Sequence, residues 1–141
     1  MRIIFTLLSI ITMQVAFGQS AQPSAKLQAG MNSAEISALS SEQIDALNYF
    51  AEYGFRVHET PKTGQYPSLS SMLKSGAAAP DYSSIVQENF NPLLFDFGDR
   101  AEHQFFLIDG TDKVVQIYSA SYCEMRYEQH RINTENQKKR K

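Results

Sequence analysis

The 141-residue chain contains one cysteine, Cys123. An internal disulfide is therefore ruled out, and packing alone must hold the fold together. That thiol is expected to be free or paired with another chain. The three histidines, His58, His103 and His130, are scattered, with neither a His-x-x-x-His spacing nor a companion cysteine pair. No zinc site is expected. A glycine-rich phosphate loop and a dinucleotide fingerprint are both missing, so no cofactor is expected. Cations are scarce too: residues 19–137 carry 8 basic against 15 acidic side chains, a net of −7. A body of that charge repels phosphates, which argues against a nucleic-acid partner.

Long apolar runs are missing everywhere except at the start. "MRIIFTLLSIITMQVAFGQS" has a cationic Arg2, an apolar stretch from Ile3 to Ile11, and small residues at Ala16 and Gly18. This three-part pattern reads as a secretory signal peptide over 1–18, cleaved after Gly18. A membrane anchor needs about 20 apolar residues, and Thr12, Gln14 and Gln19 shorten the run below that. The mature chain is expected to be secreted or periplasmic and to meet a membrane only during export. Residues 19–38, rich in Ala, Ser and Gln, read as a flexible leader.

What is present suits one α+β domain over 39–132. Ser40 and Gln43 have capping-box spacing, and Leu39 and Ile44 are spaced for a hydrophobic staple. Ile44, Leu47, Phe50 and Ala51 recur at helical intervals, and Gly54 supplies a left-handed stop with Phe55 folding back. The pattern predicts a helix over 41–53. "FRVHE" alternates as a short strand over 55–59. Short helices are expected around Leu69–Leu73, closed by Gly76, and over Tyr82–Asn89, entered through Pro80 and Asp81. Strands are expected at 93–97, 104–108 and 113–118, the last two joined by Asp109-Gly-Thr-Asp112 with Gly110 at positive φ. The expected architecture is two-layer α+β, an antiparallel meander of three to four strands covered by the capped helix. A further helix is predicted from 122, with Ser121 and Glu124 in capping-box spacing. It would bury a stripe of Tyr122, Met125 and Ile132. Residues 133–141 form a polar tail ending in the cations Lys138 to Lys141.

Chemistry is harder to find. Cys123 and His130 lie seven residues apart, about 10 Å along a helix, beyond hydrogen-bond reach. A buried, structural thiol is the expectation. Ser71-Met-Leu-Lys74 and Lys62-Thr-Gly64 match the Ser-x-x-Lys and Lys-Thr-Gly motifs of serine β-lactamases, but in reversed order and in too short a chain. Asp109 and Asp112, with Asp96 and Asp99 nearby, lack the alternating oxygens of a calcium loop. No catalytic, cofactor-binding or metal residue is therefore assigned. Two readings stand: an exported, non-catalytic module that binds an unknown protein or polymer through the sheet or the Tyr- and Phe-rich segments, where Tyr49, Tyr53, Tyr66, Tyr82, Tyr118, Tyr122 and Tyr127 are suited to interfaces; and a small hydrolase with a spatially assembled site around Cys123, His103 or Asp96. The first is favoured, because no nucleophile–base pair is legible.

Overall fold

The computed structural model describes residues 20–59 and 64–141. The expected signal peptide lies outside them. In place of the flexible leader expected over 19–38, the described part, from Ser20, folds into two short helices, α1 (Ala25–Gly30) and α2 (Ser33–Ser37). Ser24 and Asn32 cap them, accepting from Leu27 N at 3.1 Å and Glu35 N at 2.9 Å. Leu27 is fully buried. Asn48 ties the segment down, its Oδ1 accepting from Ser24 N at 3.0 Å and its Nδ2 donating to Gln22 O at 2.8 Å. One buried leucine and a few caps thus order a stretch whose composition suggests mobility.

Helix α3 (Ser41–Tyr53) begins with the expected reciprocal cap: Gln43 N donates to Ser40 Oγ at 3.1 Å, and Ser40 N donates to Gln43 Oε1 at 2.8 Å. Its stop differs from the expectation. Gly54 has φ −77° and ψ 5°, which any residue can adopt. Glycine serves there for space, since a Cβ would come within 2.0 Å of the Phe50 ring. The chain then enters strand β1 (Phe55–His58). Hairpin strands β2 (Gln104–Leu107) and β3 (Val114–Ile117) follow later, with Gly110 at φ 72° in their turn. The sheet is antiparallel in the order β1-β3-β2, with Phe55 opposite Ile117 and Phe106 opposite Val115. The α+β class holds, with one three-stranded sheet.

The layer over the sheet differs from the expected helical lid. Phe55, Val57, Phe106, Val115 and Ile117 face Leu69, Ile85, Phe90, Phe95 and Phe97, which come from an irregular segment. That segment contains 3-10 turns at Leu69–Met72, Tyr82–Ser84 and Pro92–Leu94, where two short helices and a strand are expected. Residues 93–97 do alternate, but they pair with a neighbour only at the Leu73–Phe95 bridge. The 93–97 expectation is corrected: its alternation records one-sided burial, and β1 supplies the third strand. Phenylalanine rings run through this interface, Phe55 edge-on to Phe90 at 4.8 Å, Phe90 stacked on Phe95 at 5.6 Å, and Phe95 on Phe97 at 5.8 Å. Each fully buried ring contributes about 1.5–3 kcal/mol. The apolar stripe of α3 packs mainly on α1 and Leu93, with Phe50 reaching both clusters.

Helix α4 (Ala120–Lys138) starts two residues before the expected point. Ser119, not Ser121, caps it, accepting from Tyr122 N at 3.4 Å. The expected tail is helical as far as Lys138. The buried face is also corrected: Met125 and Ile132 are 59% and 49% exposed, whereas Tyr127 is 9% exposed. Tyr127 turns inward because Asp45 of α3 accepts its hydroxyl at 2.9 Å. Among the described residues, no helix is long and apolar enough to cross a membrane.

Candidate functional site, a tyrosine and arginine cleft

Simple periodicities assemble one concave surface. Tyr49 and Tyr53 are four residues apart on α3, hence neighbours on one face, with ring centroids 4.9 Å apart. Alternation in β1 buries Phe55 and Val57 and turns Arg56 outward. Tyr118, Tyr122 and Arg126 are spaced by four across the β3–α4 junction, and the two rings lie 4.9 Å apart. His103 fixes that corner. Its Nδ1 accepts from Ser119 N at 2.9 Å, and its ring meets Tyr118 and Tyr122 edge-on at 5.5 and 5.3 Å.

Tyr49, Tyr53, Arg56, Tyr118, Tyr122 and Arg126 border a cleft of about 480 Å³, completed by Glu52 and Gln87. Arg56 and Arg126 make no ion pair or side-chain hydrogen bond among the described residues, while Glu52 is engaged by Lys26 at 3.3 Å. Burial pushes the Tyr118 phenol up, helped by Tyr122, while both guanidiniums pull it the other way. Gln87 occupies the free edge of β1: its Oε1 accepts from Val57 N at 2.7 Å and its Nε2 donates to Phe55 O at 3.5 Å. A side-chain amide thus stands in for a neighbouring strand.

The residues weighed for catalysis do not come together. Cys123 is half-buried. Its sulfur accepts from Arg100 Nη1 at 3.7 Å and donates to Tyr118 O at 3.8 Å. Burial pushes the thiol up, and the Arg100 charge only partly offsets this, which disfavours the nucleophilic thiolate. Arg100 itself lies 4.1 Å above the Phe50 ring. The His130 ring lies tilted against Tyr49 at 5.1 Å, His103 is spent on Ser119, and His58 Nε2 is 3.0 Å from Gln116 Oε1. Asp96 accepts from Gly98 N at 3.0 Å in a local turn. Beside Cys123 lies a smaller pocket of about 240 Å³, lined by Leu47, Phe50, Arg100 and Tyr127 among others.

Two other motifs are structural. Ser71 donates to Ser68 O at 2.6 Å, and Lys74 lies beyond the end of the 3-10 turn. Lys62 and Thr63 fall outside the described residues. Asp109 reaches back to the Leu69–Met72 turn, accepting from Ser68 Oγ, from Ser70 N at 2.8 Å and from Ser70 Oγ at 2.9 Å. Burial raises its carboxyl, but these bonds outweigh it and hold the group below its usual range. Among the described residues, no cluster of three metal-ligating side chains occurs.

Sequence reading identifies the tyrosines as interface-suited but assigns no site. Arg56, Arg126 and Gln87 are missed. The Tyr118-x3-Tyr122-x3-Arg126 spacing is the signal that points to them. No family model, curated protein or solved structure matches this chain.

Proposed function

We propose that this chain is an exported, non-catalytic binding module whose partner is held in the tyrosine and arginine cleft. The single observation behind this reading is the pair of guanidiniums, without an ion-pair or side-chain hydrogen-bond partner among the described residues, set among four tyrosines on an otherwise acidic body. Guanidinium groups recognise carboxylate or phosphate oxygens through paired N–H donors. Tyrosine offers a flat apolar face with a polar tip, the combination that favours interfaces. The partner therefore carries negative charge beside a weakly apolar surface. Export rests on the charge, apolar core and small-residue site of the first eighteen residues.

Amide NMR of the exported chain, titrated with carboxylate and phosphate compounds, tests the binding site. Shifts should cluster over residues 49–57 and 118–126 and vanish in the Arg56→Gln/Arg126→Gln double variant. Shifts elsewhere, or shifts that survive the double substitution, would refute it. Mass analysis of the exported product tests the address, and retention of residues 1–18 would refute cleavage.

A further inference from the structure

Resting on that reading of the cleft, we infer that its partner is an acidic carbohydrate, a short run of uronic-acid residues within an extracellular polysaccharide. A peptide added as an extra strand needs an open sheet edge, and each edge here is partly met by the chain's own groups. Gln87 closes the middle of β1. On β2, Leu107 N donates to Pro67 O at 2.9 Å, and Ser68 bridges Leu107. Recognition in the cleft therefore falls to side chains.

Those side chains match the surface of a charged sugar. Pyranose rings present weakly polarised C–H groups on their faces, which fit the electronegative faces of Tyr49, Tyr53, Tyr118 and Tyr122. Sugar hydroxyls at the ring edge need mixed donors and acceptors. Tyrosine hydroxyls supply both, and the Glu52 oxygen not held by Lys26 adds an acceptor. The uronate carboxyl, absent from neutral sugars, gives Arg56 and Arg126 a planar anion for forked hydrogen bonding. A volume of about 480 Å³ lies within the usual range for ligand sites.

The decisive experiment titrates the exported chain by calorimetry and amide NMR with oligogalacturonate, oligomannuronate and oligoglucuronate. Methyl-esterified oligogalacturonate, hexaglutamate, inorganic phosphate and anionic lipid vesicles serve as comparisons. At least one uronate series should shift residues 49–57 and 118–126. Methyl esterification should weaken binding of oligogalacturonate, where that is the series bound, by about tenfold or more, the expected loss of a charge-assisted pair. Arg56→Gln and Arg126→Gln should each weaken uronate binding similarly. Tyr53→Ala, at a side chain already 59% exposed, should weaken it without altering the fold. If hexaglutamate, phosphate or vesicles occupy the cleft more tightly than every uronate, the carbohydrate assignment falls and the binding site stands. If no compound perturbs the cleft, both fall.

Discussion

Removing a single hydroxyl at Tyr127 tests how the two walls of the cleft are held together. Tyr127 of α4 donates to Asp45 Oδ2 of α3 at 2.9 Å, and its ring lies 5.6 Å from that of Tyr49. Tyr127→Phe keeps the ring and deletes only the hydrogen bond. A bond to a charged acceptor is worth about 1.5–3 kcal/mol, but Asp45 is exposed and regains water. The expected loss is therefore about 1–2 kcal/mol at pH 7, seen as a urea midpoint lowered by roughly 0.5–1.5 M. The pH dependence gives a second, independent arm. Burial first, then Asp45, pushes the Tyr127 phenol up to about 12, whereas an unfolded tyrosine titrates near 10. A raised folded value means that the stabilisation is complete below about pH 10 and is lost as pH climbs towards 12. The gap between the two proteins should narrow over that window by roughly 2 kcal/mol at most. All other residues are common to both proteins, so their effect cancels in the comparison. Circular dichroism during urea unfolding at pH 7, 9 and 11 measures both arms. An unchanged midpoint at pH 7, or a gap as wide at pH 11 as at pH 9, would refute the α3–α4 tie.

Asp109→Ala removes the acceptor for Ser68 and Ser70 and should lower stability by about 2–3 kcal/mol in urea unfolding at pH 7. Because the Asp109 carboxyl is held below its usual range, its stabilisation is present above about pH 4 and disappears with acid, so the variant should show a shallower acid limb. Gly54→Ala places a methyl within 2.0 Å of the Phe50 ring and should cost about 1–3 kcal/mol by thermal unfolding. A change under about 0.5 kcal/mol would show that Phe50 moves freely. Native Cys123 should react slowly with a thiol reagent at pH 7 and rapidly once urea is added, since burial disfavours its thiolate. Rapid native labelling would reopen the hydrolase reading.

The elements legible in the sequence are those whose causes are local. Helix α3 is fixed by a cap and a stripe within a few residues, and the β2–β3 hairpin by a turn built on Gly110. The errors arise where a tertiary partner decides. Residues 93–97 have the alternation of a strand, yet their backbone finds little to pair with. Asp96 N reaches Met72 O at 2.8 Å, Lys74 N reaches Leu94 O at 3.0 Å, and the ladder ends. On α4, hydrophobicity favours burying Met125 and Ile132. Asp45 lies on α3, eighty-two positions from Tyr127, and its offer of a hydrogen bond makes Tyr127 the buried residue instead.

The same limit governs the cleft. Each row of tyrosines is visible as an interval of four, but the meeting of the α3 row with the α4 row depends on β1 and β3 pairing side by side. That arginines 56 and 126 stand without partners among the described residues is a fact of three dimensions, for the sequence offers them many acids. Gln87 is equally hidden, because its contact with β1 joins distant parts of the chain. A sheet edge left open invites a further strand. A side-chain amide thirty residues away satisfies Val57 N while occupying far less volume than a strand. The same glutamine thus closes part of a backbone edge and lines the cleft beside four tyrosines.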